Sequence, residues 1–434
     1  MNFNFPGLIS RLVFIGTMLS LATPADDWPQ WRGPNRDGIS KEKGWASQWP
    51  KEGPKQLWQA KVGVGYSSES IANGQLYTMG NVDGTDIIAC LDANTGKEIW
   101  HYSYPCSPKD PNGYPGTRCT PTADGAMVYA VSRKGHLHCL NTADGKLVWS
   151  KNFEKDFNGK EPTWGFAGSP LVHGNLLIVE TGGSGAAVVA FDKTNGHVVW
   201  KSGDDGAGYG SPVAFSFKGN PAVAVFGAST VAAYSVKDGK QLWQYPWKTS
   251  YDVNAATPIL EGTRVFVSSG YGTGCALLDF STGEVKEVSR NKNMRNHVNS
   301  CVLYKERIYG FDESTLKCLD FNSGKVLWSE GKFGKGSLII ADEKLLIFSE
   351  KGMLAVAEAA ADGYHEIASA QVIGGNSTWV LPVLANGKIY CRSLEKLIAL
   401  DVSGKSIASD RLTQSDSRRL VSTVPLAGPP SVSR

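Results

Sequence analysis

Short apolar runs separated by glycine, asparagine and aspartate recur along most of the chain. Examples are residues 176–179 (LLIV), 265–267 (VFV) and 388–391 (KIYC). Runs of this length that are rich in Val, Ile, Leu and Tyr are typical of short β-strands joined by tight turns. Since no stretch of ten or more residues follows a helical period, the pattern predicts an all-β fold.

One eleven-residue segment is repeated within this pattern. Residues 90–100 (CLDANTGKEIW) recur as residues 139–149 (CLNTADGKLVW) and 190–200 (AFDKTNGHVVW), and further copies end at Trp243 and Trp328. Degenerate copies without the tryptophan surround Gly283, Gly363 and Gly404. A segment that returns at a regular interval indicates a repeat architecture.

The spacing of the repeat identifies the architecture. The turn glycines are Gly96, Gly145, Gly196, Gly239, Gly283, Gly324, Gly363 and Gly404. The first and last lie 308 positions apart over seven steps, so the mean spacing is 44 residues. A unit of roughly 44 residues is either a pair of helices or a four-stranded propeller blade, and the strand pattern selects the blade. We therefore predict an eight-bladed β-propeller of four-stranded antiparallel blades, with a seven-bladed ring as the alternative.

The repeated residues have structural roles. In most copies an Asp or Asn four positions before the glycine can bond back to the turn, and the glycine is expected to take the positive φ that closes it. The tryptophan four positions later begins the outermost strand, where its large apolar surface can cover the gap to the next blade. We expect this blade-packing role for Trp58, Trp100, Trp149, Trp200, Trp243 and Trp328.

The two ends of the repeat region complete one blade between them. The eighth unit has no tryptophan after Gly404, whereas residues 55–60 (KQLWQA) resemble an outermost strand that has no preceding strands of its own. Pairing this strand with the last blade would close the ring and leave no exposed sheet edge between the termini. The propeller is thereby predicted to span residues 55–405.

Residues 1–25 are typical of a secretory signal peptide. Arg11 precedes an apolar run, residues 12–21, and small residues before Asp26 allow cleavage after Ala25 or Ala22. An uncleaved anchor is the alternative, but about ten apolar residues are too few to span a bilayer. With no cysteine near the cut, we expect an exported protein, periplasmic or associated with the cell envelope, that is not a lipoprotein.

Two further segments lie outside the predicted ring. Residues 26–54 are rich in Trp, Pro and Gly, and we expect them to pack across the surface of the ring. Residues 406–434 are rich in Ser, Arg and Pro without periodicity, so we expect a mobile tail. No segment after the signal peptide has transmembrane length.

Charge and cysteine content exclude several classes of protein. Lys plus Arg number 44 against 41 Asp plus Glu, and a formal charge of +3 is too small for a dedicated nucleic-acid binder. The eight cysteines have no zinc-type spacing, so no metal site is predicted. Cys106 and Cys119 flank a Pro/Gly-rich insertion, residues 107–118, and are the candidate disulfide pair. A closed ring satisfies its own edges, and we expect a monomer.

With these segments, the chain resembles the pyrroloquinoline-quinone (PQQ) repeat propellers over roughly residues 55–405. Its opening, residues 28–38 (WPQWRGPNRDG), resembles the segment that begins many exported propellers of this type in environmental bacteria such as planctomycetes. Two branches share the fold: quinoprotein alcohol dehydrogenases, and BamB, the propeller of the outer-membrane β-barrel assembly machine. The repeat does not choose between them, because its residues serve turns and packing.

The resemblance implies what a dehydrogenase would need. Such enzymes hold PQQ between a ring of adjacent cysteines and a tryptophan, with a calcium ion and an Asp base. This chain has no Cys-Cys pair, and its nearest candidate carboxylates, without a calcium spacing motif, are Glu69, Asp204, Asp205 and Asp252. We therefore expect a non-catalytic binding or scaffold protein for an envelope protein, a peptide or a glycan, and assign no catalytic residue. A dehydrogenase that uses PQQ and calcium to oxidise an alcohol or a sugar is the alternative.

A ligand site in a propeller is expected at the channel mouth, where the loops that enter each innermost strand converge. The candidates there are Arg118, Trp164, Tyr209, Asn254, Arg295, His297, Lys335 and Trp379. Aromatic, cationic and amide side chains suit a planar or anionic ligand. Trp164 and Trp379 are the strongest candidates, because neither occupies the blade-packing position. The alternative is that these residues only fill the channel and satisfy loop backbones.

The signal peptide can be tested by fusing residues 1–30 to alkaline phosphatase, an enzyme that is active only where its disulfides can form. We predict phosphatase activity in a bacterial host, and its loss when Leu12 and Ile15 are both changed to Arg. Mass spectrometry of the exported product should give Asp26 or Thr23 as the first residue. An active enzyme with the double substitution, or an inactive wild-type fusion, would contradict the prediction.

Overall fold

The computed structural model describes Met1 and residues 26–108, 112–375 and 378–404. Within these residues the chain forms 33 β-strands, one short helix (α1, Phe153–Phe157) and one turn of 3-10 helix at Ser250–Asp252. The all-β prediction is confirmed. Among the described helices, neither has the length or apolar character to cross a membrane. The predicted signal peptide, apart from Met1, and the predicted tail, residues 406–434, lie outside the described residues.

The strands form eight antiparallel blades. Blade 1 contains β3 (Ser70–Ala72), β4 (Gln75–Val82), β5 (Thr85–Asp92) and β6 (Glu98–Pro105). Blade 2 contains β7 (Thr122–Asp124), β8 (Met127–Val131), β9 (His136–Asn141) and β10 (Leu147–Asn152). Blade 3 contains β11 (Leu171–His173), β12 (Leu176–Gly183), β13 (Ala186–Asp192) and β14 (Val198–Ser202). Blade 4 contains β15 (Val213–Phe217), β16 (Asn220–Phe226), β17 (Thr230–Ser235) and β18 (Gln241–Pro246).

The second half of the ring repeats this arrangement. Blade 5 contains β19 (Ile259–Glu261), β20 (Arg264–Ser269), β21 (Gly274–Asp279) and β22 (Lys286–Asn291). Blade 6 contains β23 (Val302–Tyr304), β24 (Arg307–Asp312), β25 (Thr315–Asp320) and β26 (Val326–Glu330). Blade 7 contains β27 (Ser337–Ala341), β28 (Lys344–Phe348), β29 (Met353–Glu358) and β30 (Glu366–Gln371), and β1 (Ile39–Ser40) pairs with it in parallel. Blade 8 contains β31 (Val383–Ala385), β32 (Lys388–Arg392), β33 (Lys396–Asp401) and β2 (Gln56–Lys61). The eight-bladed prediction is confirmed.

Blade 8 joins the two ends of the ring, as predicted. The N-terminal strand β2 is antiparallel to β33, and its register places Trp58 opposite Ala399 and Gln59 opposite Ile398. The Trp58 ring also lies 5.9 Å from the ring of Tyr390 in β32. The pairing gives the last blade its fourth strand, so the ring closes through backbone hydrogen bonds.

The first strand of each blade lies innermost, and hydroxyl groups link neighbouring first strands. A backbone N–H just before one strand donates to a Ser or Thr hydroxyl just before the next, at 2.8–3.2 Å. The pairs are Ser68 with Thr120, Thr120 with Ser169, Ser169 with Ser211, and Thr257 with Ser300. These bonds satisfy backbone donors that lie outside the strand ladders.

Between blades, a repeated tryptophan packs on a turn glycine. The Trp58 indole donates to the carbonyl of Ala93, 3.2 Å away, and a Cβ on Gly96 would lie 2.5 Å from the Trp58 ring. The same contact joins Trp100 to Gly145, Trp149 to Gly196 and Trp200 to Gly239. Glycine is therefore required at this position both for its positive φ and for the close approach of the ring.

The contact between a tryptophan and a turn glycine is not repeated at the last four turns, since a Cβ on Gly283, Gly324, Gly363 or Gly404 would meet no tryptophan ring. Trp243 stacks on Phe280, with centroids 5.4 Å apart, instead of on a glycine. Seven of the eight turn glycines have φ between 67° and 98°. Gly363 is not among the residues with positive φ, so the prediction of a positive φ is wrong for this glycine. The turn around Gly363 is longer than the others and is closed by the Glu358 N–H, which donates to the carbonyl of His365. It therefore does not need the left-handed glycine.

Residues 28–40, which we name the plug segment, lie inside the circle of first strands. The Trp28 backbone exchanges two hydrogen bonds with Ile71 of blade 1, and the Pro29 carbonyl accepts from Ala123 of blade 2. At the other end, Ile39 pairs with Ile340 of blade 7, and the Ser40 hydroxyl donates to a carbonyl of blade 8. We expected residues 26–54 to pack across the surface of the ring. Within that range, residues 28–40 are instead enclosed by the ring.

Side chains of the plug segment reach the four remaining blades. The fully buried Arg36 donates to the carbonyls of Ser169 and Pro170 before β11 and of Pro212 before β15. The Trp31 indole donates to the Thr257 hydroxyl before β19, and Arg32 donates to the carbonyl of Cys301 before β23. One short segment is thus hydrogen-bonded to all eight blades.

The predicted disulfide between Cys106 and Cys119 is absent, because all eight cysteines are free and buried. The Cys119 thiol donates to the carbonyl of Thr120 and accepts from the Val131 N–H. Cys106 lies beside Asp86 and Ser132 instead. Burial raises the pKa of the Cys119 thiol to about 11 and that of Cys106 to about 12, so both are inert thiols at neutral pH.

Ring closure through β2 predicts a large effect for one tryptophan. Trp58→Ala should lower the free energy of unfolding by about 3–5 kcal/mol, since it empties a buried site between blades 8 and 1. Leu57 is the matched control: it lies on the same strand but is 38% exposed, against 8% for Trp58. Leu57→Ala should cost less than about 1 kcal/mol. Equal losses for the two variants in urea unfolding would contradict the role of Trp58.

Candidate functional site

A pocket opens at the end of the channel where the chain enters the first strand of each blade. Its wall is built from these entry loops, from Trp31 of the plug segment and from Tyr271 in the turn between β20 and β21. The empty space is about 1010 Å³, a figure that includes the open mouth. The lining residues are Trp31, Tyr66, Tyr114, Arg118, Trp164, Ala167, Ser169, Tyr209, Ser211, Val253, Ala255, Tyr271, His297, Val298, Asn299 and Trp379.

Three aromatic side chains form one side of the pocket, which we name the first aromatic cluster: Tyr66, Tyr114 and Trp379. The rings of Tyr66 and Trp379 are stacked, with centroids 5.7 Å apart and planes 19° apart. Tyr114 lies 5.5 Å from Trp379. The Trp379 indole donates to Glu350 at 3.0 Å, which fixes its orientation.

Four aromatic side chains form the second aromatic cluster: Trp164, Tyr209, Tyr251 and Tyr271. Trp164 is at its centre, with its ring centroid 6.4 Å from Tyr271, 6.1 Å from Tyr209 and 5.9 Å from Tyr251. The Tyr209 hydroxyl accepts the backbone N–H of Trp164 at 3.2 Å. Trp164, Tyr209 and Tyr251 come from the entry loops of blades 3, 4 and 5, and Tyr271 comes from the turn between β20 and β21 of blade 5. Packing of three neighbouring blades therefore assembles the cluster.

Two tyrosines of the second cluster have a strained backbone. Tyr251 has φ of 60° and Tyr271 has φ of 52°, in the left-handed region that bulky residues rarely adopt. Their side chains are nevertheless 64% and 41% exposed. Strain of this kind costs about 1–3 kcal/mol at each residue and tends to concentrate at binding sites.

The cations of the pocket are already bonded to protein groups. Arg118 donates to the carbonyls of Gly116 and Tyr114 at 2.7 and 2.6 Å, and its guanidinium lies 6.0 Å from the centroid of Tyr66. Lys335 donates to Nδ1 of His297 at 2.8 Å and lies 5.9 Å from the Trp379 centroid. Burial, and secondarily the charge of Lys335, lower the pKa of His297, so its imidazole is neutral at pH 7.

Two polar atoms of the pocket residues have no partner within the described part of the chain. They are Nε1 of Trp164 and Oδ1 of Asn299. The amide nitrogen of Asn299 donates to the carbonyl of Gly336, so only its oxygen is left unsatisfied. Leaving a buried donor or acceptor unpaired costs about 1–3 kcal/mol, which a ligand could recover.

Five of the eight predicted site residues line the pocket: Arg118, Trp164, Tyr209, His297 and Trp379. Lys335 does not line it, but it bonds to one wall residue and lies over another. Each of these positions follows from the repeat period, because the loops that enter the first strands converge at one end of the ring.

Asn254 and Arg295 have structural roles instead. Asn254 is fully buried and donates to the carbonyls of Gly227 and Ala228. Arg295 forms a two-pronged ion pair with Asp312, at 2.6 and 2.9 Å. Their loops do reach the mouth, but these side chains point to groups of the protein and are absent from the pocket wall.

Sequence reasoning missed Trp31, Tyr114, Tyr271 and Asn299. Trp31 lies in the segment that we expected on the surface of the ring, and Tyr114 lies in the insertion between Cys106 and Cys119. Tyr271 lies in a Gly-rich run, residues 270–274, that has the pattern of a tight strand connection. A bulky tyrosine among three glycines and a threonine was the available signal for Tyr271. The positions of Trp31, Tyr114 and Asn299 in the wall depend on long-range contacts.

The pocket residues do not fit PQQ with calcium. No carboxylate is among the described residues that line the pocket, and within the described chain no three His, Cys, Asp or Glu side chains are grouped to hold a metal ion. Two of the candidate carboxylates are engaged elsewhere: Asp205 accepts from Ser229 and Thr230, and Asp204 accepts from Ser184. The other two, Glu69 and Asp252, do not line the pocket, and Glu69 is fully buried. The stacked rings would suit a planar molecule, but an acidic one would compete with the carbonyls and with His297 for Arg118 and Lys335.

Comparison with known proteins places the chain in a family. The family model described as outer membrane protein assembly factor BamB matches residues 83–330. BamB of Yersinia pestis is 25% identical over 301 residues, which is 64% of this chain and 70% of that protein. The crystal structure of BamB from Moraxella catarrhalis superposes with a TM-score of 0.59 at 14% identity, and the match covers 80% of this chain and 99% of that one.

Quinone-dependent enzymes share the fold. The dehydrogenase subunit of the quinone alcohol dehydrogenase of Komagataeibacter europaeus is 31% identical over 144 residues, but the match spans only 18% of that subunit and 30% of this chain. The quinohemoprotein alcohol dehydrogenase of Comamonas testosteroni superposes with a TM-score of 0.66 at 14% identity, covering 87% of this chain and 81% of that one. Identities this low show the fold alone. Because the family model covers more than half of the 434 residues, the chain belongs to the BamB family.

The contact between Lys335 and His297 gives a testable titration. The pKa of His297 should lie below its usual value of 6.5, and Lys335→Gln should raise it, because the variant removes a positive charge that opposes protonation. Nitrogen-15 NMR of the imidazole would measure both values. Lys332→Gln is the matched control, since Lys332 lies in the same connection but pairs with Glu366. An unchanged or lower pKa in Lys335→Gln would contradict the assigned contact.

Proposed function

We propose that this member of the BamB family is an exported, non-catalytic binding protein of the cell envelope. Its propeller would act as a rigid platform, and the pocket at the channel mouth would hold a ligand or part of a partner. The observation that carries the proposal is the composition of the pocket wall. Seven aromatic rings line it, and no carboxylate is among its described lining residues.

An aromatic wall without acidic groups suits binding better than oxidation. A dehydrogenase needs a base close to the reacting carbon, and carboxylates and amide oxygens for a calcium ion. Two carboxylates that contact wall residues, Glu313 and Glu350, are engaged with Tyr271 and with Trp379. The similarity to quinone alcohol dehydrogenases spans a small part of those subunits, where the blade repeat recurs, and carries no site residue to this pocket.

The way the pocket is built supports a preformed site. Its wall residues come from loops that the plug segment and the ring of hydroxyl bonds hold in place. A site that is ordered before binding loses little conformational entropy when its ligand arrives. The strained Tyr251 and Tyr271 would be kept in place for contact with a ligand.

The proposal can be tested by adding PQQ and calcium to the purified mature protein. We expect no bound-quinone absorbance after gel filtration and no dye reduction with primary alcohols or aldoses. A known quinoprotein dehydrogenase, reconstituted in the same buffer, is the positive control. Stoichiometric quinone binding together with dye reduction would overturn the non-catalytic proposal.

A further inference from the structure

We propose that the pocket at the channel mouth binds a neutral oligosaccharide, with one sugar ring on each aromatic cluster. This inference rests on the proposed binding function and names its ligand class. It follows from three features of the pocket: the placement of the aromatic rings, the state of its charges and the two unsatisfied polar atoms.

The first feature is the presence of two separate aromatic surfaces on one pocket. Trp379 with Tyr66 forms one surface, and Trp164 with Tyr271 forms the other; in each pair the rings are within 25° of parallel. The C–H groups on the face of a pyranose carry a small positive charge and pack against the negative face of an aromatic ring. Two such surfaces match a chain of sugar rings better than a single compact molecule.

The second feature is that the cations of the pocket are engaged with neutral groups of the protein. Arg118 is bonded to two carbonyls, and Lys335 is bonded to His297, which burial keeps neutral. An anionic ligand, whether an acidic sugar, a quinone tricarboxylate or the C-terminal carboxylate of a peptide, would compete with these groups for the cations. A neutral ligand would leave the existing bonds in place.

The third feature is the pair of unsatisfied atoms, which have opposite character. Nε1 of Trp164 is a donor and Oδ1 of Asn299 is an acceptor, and both atoms are buried. Trp164 can turn toward a ligand without losing a side-chain hydrogen bond, whereas Asn299 would have to keep its amide nitrogen on the Gly336 carbonyl. A sugar hydroxyl can accept from one and donate to the other, because it has both a proton and lone pairs. Tyr114 and Tyr271, which are partly exposed, add hydroxyl groups that can also both donate and accept hydrogen bonds.

An extended peptide fits these features less well. Its backbone presents a donor and an acceptor at every residue, and an aromatic wall offers them few partners. Peptides that add to a sheet through their backbone need a strand edge that they can reach, whereas the plug segment already bonds to the channel-side edges of the first strands in blades 1, 2 and 7. We therefore favour the sugar, and the peptide becomes an outcome of the experiment.

The experiment measures binding of defined ligands to the mature protein by calorimetry and tryptophan fluorescence. The neutral probes are cellopentaose, laminaripentaose and chitopentaose, and the acidic counterpart is penta-galacturonic acid. PQQ and a neutral-capped pentapeptide with two tryptophans are the other probes. We expect at least one neutral pentasaccharide to bind, and to bind about tenfold or more tightly than the acidic one.

Variants then locate the site. Trp379→Ala should weaken sugar binding about tenfold, since it removes one stacking surface, and Tyr271→Ala should weaken it by a smaller factor. Trp164→Phe keeps an aromatic ring at this position but removes the Nε1 donor, and should reduce affinity about threefold to tenfold. Tyr304→Ala is the matched control, because Tyr304 lies at the far end of β23 from the pocket and should leave binding unchanged. Circular dichroism and the melting temperature would establish that each variant is folded.

The outcomes separate this inference from the proposed function. Absence of binding by all three neutral sugars at millimolar concentration overturns the inference, as does sugar binding that Trp379→Ala and Tyr271→Ala leave intact. Preferred binding of the peptide would replace the ligand class while keeping the binding function. Quinone binding with dye reduction would instead overturn the proposed function itself.

Discussion

The hydrogen bonds between the plug segment, residues 28–40, and all eight blades are the constraint on which the rest of the structure depends. A propeller ring leaves a row of unpaired carbonyls and N–H groups where the chain enters each first strand, and buried groups of this kind must find partners. Here Arg36 satisfies three of the carbonyls and Arg32 satisfies another, in addition to carbonyls of the segment itself. Both guanidinium groups are fully buried, and burial lowers their pKa values to about 9 for Arg36 and about 10 for Arg32. Each still remains charged at neutral pH.

This central segment also positions the site. It places Trp31 in the pocket wall and fixes its indole on the Thr257 hydroxyl, next to the ring of Ser and Thr hydroxyls that links the first strands. The aromatic clusters therefore rest on a layer in which neighbouring blades are bonded both to each other and to one shared segment. A loop that enters blade 3, such as the one with Trp164, is thereby held at a fixed distance from loops of blades 4 and 5. Such a layer explains how side chains from distant parts of the sequence form one preformed wall.

Most of the fold could be predicted from the sequence because the blade is a local structure. The turn glycine, the strand pattern and the tryptophan of each unit lie within about 44 residues, and the contact of Trp58 with Gly96 repeats in the next three blades. What could not be predicted depends on contacts between distant residues. Arg36 meets its carbonyls 133 to 176 positions away, and Arg32 meets Cys301 across 269 positions. The period of the repeat carries no information about such long-range contacts. It therefore located Trp164 and Trp379, which lie in entry loops, but not Trp31. The disulfide prediction failed similarly, since flanking an insertion does not bring two thiols together.

Propellers with the same blades can carry different functions, because the residues that make the blade are separate from those at the mouth. The repeated Asp, Gly and Trp serve turns and packing in every unit, so similarity in these residues follows the fold. At the mouth, by contrast, charge decides which chemistry is available. A site that needs calcium and a base must bring carboxylates to the wall, whereas here Glu350 accepts from Trp379 and Glu313 accepts from the Tyr271 N–H. Glu350 and Glu313 thereby help to fix the positions of Trp379 and Tyr271 in the wall. In this chain both carboxylates instead accept hydrogen bonds from residues of the aromatic wall, which under the proposed function is the surface that meets the ligand.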